Sequence, residues 1–377
     1  MIYEICGLKY DINTINLDES YSTILSNELE LYKIYTKSSE ENTISLNIES
    51  VDDYPYFYKS SLCSPSIMEA SQNYLIIKNG SLLLQYVFNS SKEVSEVNIY
   101  IKKTVNNLKK LISKFINIQF TSHAEAIGQF IHELVFIPIS ILSSSTIAVH
   151  ASSIYNPQTN VVNIFGGTGG VGKSSTLLEH AHRYGVESKF LADDFTILNS
   201  DGDVVPNYAY PKVYGYNLVG KFSEMVSIKG LFNNFSWMFR RSVFGENRVR
   251  RRVSPKCLMG TDLLSSYGLS KCYYILLKYN IDNITVVDVD IDKAAEISWN
   301  IVQNEYNQAL FNYLVWCQLE IFLDNKTYIP SLAEVENNYK SKFKNVFKEM
   351  PIKVIKIPKS FNHEQVLSNI ISEVENI

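Results

Sequence analysis

Several things are scarce in this 377-residue sequence, and each scarcity excludes a class of protein. The five cysteines (Cys6, Cys63, Cys257, Cys272 and Cys317) are odd in number and widely spaced, and no CxxC pair occurs. Neither a disulfide framework nor a structural zinc site is expected, and reduced thiols point to a cytoplasmic protein. Glycine (16) and proline (10) are too few for a collagen-like or linker-like chain. The N-terminus, MIYEICGLKYDIN, has no basic start followed by an apolar core, so a signal peptide is not expected. The most apolar stretch, Val135 to Val149, contains Pro138 and four serines and falls short of the ~20 apolar residues of a bilayer span. No membrane association is expected. With 35 Lys+Arg against 39 Asp+Glu the net charge is only −4, which excludes a broadly basic nucleic-acid coat.

What is present suits a globular chain. Hydrophobic residues make up 46% and charged residues 20%, enough to bury a sizeable core, and the length predicts two domains at about 150 residues each. In the first hundred residues apolar and polar positions alternate in short runs. Tyr74–Ile77 and Leu82–Phe88 flank Asn79-Gly80, a hairpin signal, and Glu96–Ile101 reads as another strand. Leu29–Tyr35 and Thr43–Ile48 read as a strand pair joined by the polar Lys37–Asn42. Helical spacing then follows: Val105, Leu108, Leu111, Ile112 and Phe115 share one face, and a second helix is predicted from His123 to Phe136. This β-rich module with two helices is expected over residues 1–145, as a platform for a substrate or partner, with a larger domain over 146–377.

The larger domain opens with apolar runs at Ile147–His150, Val161–Phe165 and Phe190–Leu198. Between the last two lie a glycine-rich loop and a helix over about Lys173–Tyr184, stopped by Gly185. Strand, glycine loop, helix, strand is the order of a nucleotide-binding βαβ unit and predicts an α/β fold. Further on, Cys272–Lys278 and Ile284–Val289 are expected to pair as strands. A helix is expected over Ala294–Leu323, a strand at Ile352–Ile357 and a helix at His363–Val374, whereas Asn217–Lys256 has weak periodicity.

Gly167-Thr168-Gly169-Gly170-Val171-Gly172-Lys173-Ser174 fits G-x-x-x-x-G-K-[ST] at every fixed position. Glycines let successive backbone N–H groups converge on phosphate oxygens at a helix N-terminus. Lys173 is expected to reach the β- and γ-phosphates of ATP, Ser174 to ligate Mg²⁺, and Ser175 to line the same site. The next strand carries Asp193-Asp194 in an otherwise apolar run, where two carboxylates need a bound partner. Adjacent strand residues face opposite sides, so one can hold a metal while the other faces a reacting oxygen. His150 stands at the end of the strand before the loop; taken alone, a histidine there is more often structural than catalytic. His180 and His182 are expected on the surface at the far end of the loop helix. His123 and His132 carry no signal.

Taken together, His150-Ala151-Ser152, GGTGGVGKSST (Gly166–Thr176), Gly185 and LADDF (Leu191–Phe195) resemble the HPr kinase/phosphorylase-like serine kinases. These share the phosphoenolpyruvate-carboxykinase type of P-loop fold. The likeness is carried by about Ile147–Leu198. It implies a kinase that uses ATP or another phosphate donor with Mg²⁺ to phosphorylate a serine hydroxyl. Carried over by position, Asp193 would be the base and Asp194, with Ser174, would lie near the metal, although adjacency alone leaves the order of the two open. His150 would orient or charge-balance Asp193 or a phosphate. The chain departs from HPr kinases proper at Ser175, where they carry glutamate, and in lacking their downstream glycine-rich signature. The implied acceptor is therefore the broader class of serines used by related kinases: in a peptide or protein, at a modified peptide's C-terminus, or free.

One local feature departs from the bland net charge. Arg240, Arg241, Arg248, Arg250, Arg251, Arg252 and Lys256 stand against Glu246 alone, a net +6 over 17 residues. This segment, about 237–257, reads as a lid or substrate dock whose Arg250, Arg251 and Arg252 contact phosphate or substrate. A solvated loop, a subunit contact in a homo-oligomer and a nucleic-acid-binding run are the other readings. Trp237, Phe239 and Phe244 favour packing of the segment over a free tail. Two further functions remain open: an ATP-dependent switch or assembly factor without a phosphoryl acceptor, and a nucleic-acid-linked ATPase. A GTPase is disfavoured, since Asn325-Lys326 is followed by Thr327-Tyr328 instead of the guanine-reading x-Asp.

Overall fold

A computed structural model describes residues 1–35, 43–55, 62–64, 68–103, 118–120, 122–218, 231–246, 248–259, 269–323, 325–359 and 363–375. The helix expected around Val105–Phe115 lies outside them.

Strict alternation builds the N-terminal sheet. Along Thr43–Val51 every second residue is buried, with Ile44, Leu46 and Ile48 on the core face. The strand is central in a nine-stranded mixed sheet, parallel to Leu8–Ile15 on one side and Val94–Lys102 on the other. The expected pairing of Leu29–Tyr35 with Thr43–Ile48 does not occur. Tyr21, Leu25 and Leu29 recur at helical spacing and put Glu19–Leu29 in a helix, leaving Lys33–Tyr35 as an edge strand against Ile2–Ile5. The predicted hairpin is present: Asn79 pairs with Leu82, so the two-residue turn is Gly80-Ser81, one position later than expected, with Gly80 at φ +60°.

The second predicted helix starts at His123, where the Ser122 hydroxyl accepts a bond from the Glu125 N–H at 3.1 Å. It does not stop at Phe136. A π-helical stretch, His132–Phe136, passes into Ile137–Leu142 straight through Pro138. Proline cannot bond the carbonyl four residues back. That carbonyl, of Leu134, accepts the Tyr86 hydroxyl of the N-terminal sheet. The resulting 20-residue run, His123–Leu142, is long and apolar enough to cross a membrane by length and composition, and 83% of its window is buried inside the protein.

The larger part is a mixed α/β assembly. Its six-stranded sheet runs Lys189–Ala192, Ala151–Asn156, Val161–Gly167, Ser270–Tyr279, Ile352–Pro358, Thr285–Asp288. Val161–Gly167 is parallel to Ser270–Tyr279, and that strand to Ile352–Pro358. The two strands expected to pair, Cys272–Lys278 and Ile284–Val289, are therefore separated by Ile352–Pro358. Tyr273 to Leu276 are buried in succession, as suits a strand covered on both faces, while Thr285–Asp288 is a partly exposed edge. The expected helix over Ala294–Leu323 is three pieces: Ile291–Glu305, a π-helical Asn307–Phe311 and Asn312–Phe322. A further helix, Leu332–Phe347, begins with a capping box between Ser331 and Glu334. The weakly periodic 217–256 region holds the helix Leu231–Phe244 and the strand Arg250–Arg252, which pairs with Lys212–Tyr214.

Two strand corners position the site. Thr146–Val149 belongs to a small three-stranded sheet, and the chain bends at His150 into Ala151–Asn156 of the six-stranded one. The run expected as one strand, Phe190–Leu198, makes the reverse crossing. Lys189–Ala192 lies in the large sheet, Thr196–Asn199 in the small one, and Asp193-Asp194-Phe195 form the corner. The Thr196 hydroxyl donates to the Ala151 carbonyl at 2.9 Å and ties the two corners together.

Candidate functional site

The glycine loop leaves its strand beside the first corner. The Gly167 N–H donates to the His150 carbonyl at 3.2 Å. A Cβ on Gly167 would come within 2.5 Å of the Leu276 carbonyl oxygen, so only glycine passes here. Gly172, at φ +108°, turns the loop into the Lys173–Tyr184 helix. Thr168, Gly169 and Gly170 form the more open arc of the loop, while Val171 and Ser175 are buried.

Lys173 is buried at 6% exposure. Its ammonium donates to the carbonyls of Gly167 (2.9 Å) and Thr168 (3.1 Å) and stands 3.4 Å from His150 Nδ1. An ammonium has only protons to offer, so Nδ1 must present its lone pair and the His150 proton sits on Nε2. Nε2 then donates to Asp194 Oδ1 at 3.0 Å. The imidazole lies over Phe195, which meets Tyr306 edge-on.

The two aspartates part company because the chain turns between them. Asp194 has φ +69°, in the left-handed region that aspartate adopts more readily than most non-glycine residues, and the Phe195 N–H closes the turn on the Asp193 carbonyl at 2.8 Å. Asp193 points inward, 4% exposed, and its Oδ1 accepts the hydroxyls of Ser174 and Ser152, each at 2.8 Å. Asp194 turns into the cleft with its side chain 48% exposed, between His150 and the Lys212 ammonium at 3.6 Å. Ser174 is thus partnered by Asp193 and not by Asp194, and Asp194 is the carboxylate that faces open space.

The electrostatics differ accordingly. Burial, with the Asp194 charge next door, raises Asp193 above the ordinary carboxylate range against the two serine hydroxyls. Burial would raise Asp194 too, but Lys212, the His150 hydrogen bond and Lys173 hold it well below that range. Burial lowers the Lys173 ammonium in spite of Asp194, Asp193 and Glu305. Lys212 loses to burial but ends raised, because Asp194 and Glu133 favour its charged form, and it reaches Glu133 at 2.5 Å.

These groups line one cleft of about 320 Å³. The arginine segment contributes one wall. Arg252 makes a paired contact with Glu28 of the N-terminal module (2.6 and 3.0 Å), both side chains buried, with His132 at 3.4 Å from the same carboxylate. Arg250 lines the cleft with Nε and Nη2 on Gln119 Oε1. Arg251, between them on the strand, points to the opposite side and lies over Trp237, so it is not brought to the cleft with its neighbours. His180 is not the surface residue expected of it: 1% exposed, it bonds Ser188 and packs on Tyr184, while His182 is exposed.

Among the described residues no group of three or more His, Cys, Asp or Glu is arranged to hold a metal ion. A magnesium ion does not need one, since it keeps several waters and takes one or two protein oxygens beside phosphate. Ser174 Oγ and Asp193 Oδ1 fit that demand, as a buried carboxylate raised by a neighbouring charge gains from a cation.

Among the site residues that the sequence pattern does not mark are Ser152, Glu133, Lys212 and Glu305. Ser152 lies in the His150-Ala151-Ser152 run, where the sequence assigns it no role of its own. Glu133, Lys212 and Glu305 lie far off in sequence with no local pattern to mark them. Glu305 ends the Ile291–Glu305 helix and accepts the Gly169 N–H at 2.7 Å.

No protein-family model matches the chain, and no curated protein matches it either.

Proposed function

We propose that the chain is a Mg·ATP-dependent phosphotransferase of the HPr kinase-like type, passing the γ-phosphoryl group to a hydroxyl of a seryl or serine-like acceptor. The observation that carries the reading is the division of labour at the second corner. Asp193 is bonded to the loop serine, and Asp194, one residue on, is turned into the cleft beside His150.

Phosphoryl transfer asks a protein for positioning and charge stabilisation more than for covalent chemistry. The loop amides and Lys173 would take the phosphates, and Lys173 would exchange its two carbonyl partners for phosphate oxygens. Ser174 and Asp193 would hold Mg²⁺, which would neutralise phosphate charge. Asp194 is free to accept the acceptor's hydroxyl proton, with His150 fixing its direction and Lys212 keeping it ionised. Arg250 adds positive charge on the acceptor side.

The test is labelling with [γ-³²P]ATP of peptide, protein and small hydroxyl acceptors, alongside equilibrium nucleotide binding. Asp194→Asn should cut transfer by at least ~10²-fold, the usual worth of a positioned base, with ATP affinity retained. Asp193→Asn should weaken Mg²⁺-dependent ATP binding itself. ATP binding with no label on any acceptor would sink the phosphotransferase reading, and the reverse pattern in the two variants would return the roles to the positional order.

A further inference from the structure

The feature that the transfer chemistry leaves unused is Glu305. Its carboxylate accepts the Gly169 N–H at 2.7 Å, from the exposed arc of the glycine loop, and lies 3.8 Å from His150 Nδ1. An oxygen carrying negative charge therefore already sits on a loop amide. That amide cannot serve the carboxylate and a phosphate oxygen together, and two anions in one nest repel.

Resting on the reading of the loop as a nucleotide site, we propose that Glu305 is a built-in competitor for the nucleotide's phosphates. It fills the nest when no nucleotide is bound and swings out to admit one. The side chain is suited to such exchange. It is 26% exposed, with solvent on one side, and it ends a helix at a point where the backbone breaks at Tyr306 (φ −101°, ψ 12°) into a π-helical turn. Its neighbour Tyr306 packs on Phe195, and Phe195 on His150, so the position of the helix end is felt at the catalytic corner. In the nucleotide-free state the carboxylate also offsets the positive field of the loop and Lys173, which would otherwise attract stray anions.

The consequence is that the wild-type protein binds phosphates more weakly than its loop allows. Glu305→Gln keeps the shape and removes the charge; Glu305→Ala vacates the space. Both should bind ATP and inorganic pyrophosphate more tightly than wild type, by roughly tenfold, the value of one hydrogen bond to a charged group. Titration calorimetry reads the affinities. Trp299, buried on the same helix against Phe311, gives a fluorescence signal for the helix end, and melting curves check that the variants fold. Unchanged or weaker binding in both variants, with wild type binding ATP, overturns the competitor and leaves the nucleotide site standing. If wild type and both variants alike fail to bind ATP and pyrophosphate, the nucleotide reading falls and the competitor with it.

Discussion

Replacing Lys212 by methionine isolates the electrostatic control of Asp194. The ammonium stands 3.6 Å from Oδ2. Two unit charges at that distance interact by about 1 kcal/mol in water and by about 4–5 kcal/mol at an effective dielectric constant of 20. Because the Asp194 side chain is 48% exposed, the lower part of that interval applies, about 1.5–3 kcal/mol, or roughly one to two pH units. The sign follows from the direction of the shift. Asp194 is held low, so the wild-type carboxylate stays ionised through mild acid; without Lys212 it titrates higher, with burial pushing the same way. On the proposed reading, ATP consumption by Lys212→Met, followed against pH in saturating nucleotide, should have its acid limb displaced upward from the wild-type position by roughly one to two pH units. Lys212→Arg keeps the charge and should keep the wild-type profile. The argument fails if the acid limb of Lys212→Met stays where wild type has it, or if the arginine variant moves as far as the methionine one.

Two predictions concern stability. Burial lowers His180 to about 4, so it folds neutral, and its contribution is complete above the unfolded value near 6.5 and is lost as pH falls from there towards 4. Urea titrations should show up to ~3 kcal/mol lost across that window, and His180→Leu should flatten this part of the profile whatever its absolute stability; an unchanged slope would remove His180 as the cause. Glu28→Gln strips the buried Arg252 of its counter-charge and should cost about 3–5 kcal/mol by thermal melting, with Glu28→Met/Arg252→Met recovering most of it. A double variant no better than Glu28→Gln would mean that the pair is not the source of the loss.

The legible part of the site is the part that local backbone demands dictate. The backbone demands glycine at Gly167, by its close approach to Leu276, and favours it at Gly172, by its φ of +108°, and Lys173 and Ser174 follow them in one contiguous stretch. The aspartate order was not legible. Strand alternation separates neighbours by face, but it assumes that the strand continues, and the left-handed turn at Asp194 ends it. Lys212 and Glu305 arrive through tertiary folding from beyond the βαβ unit, and no spacing rule reaches that far. In the fold, alternation located a strand at Thr43–Ile48, which runs on to Val51, yet short apolar runs do not say which strands become neighbours, and Ile352–Pro358 comes between the two expected to pair. The helix Leu332–Phe347 carried a readable start in Ser331 and Glu334 that went unused.

The proline in the long core helix has a consequence for how this chain can be divided. Pro138 frees the Leu134 carbonyl, and the group that claims it is the Tyr86 hydroxyl of the N-terminal sheet, on the same side of the boundary drawn at residue 145 as the helix itself. The same helix presents Glu133 to Lys212 at the cleft. A segment cut out to carry the glycine loop and the aspartates alone would lose that helix and, with it, the anion that anchors the cleft lysine. A segment that kept the helix without the sheet would take the Tyr86 hydroxyl away from that carbonyl. Grafting this chemistry onto another scaffold therefore means transplanting a tyrosine more than a hundred residues upstream of the aspartates, for a reason invisible at the site itself.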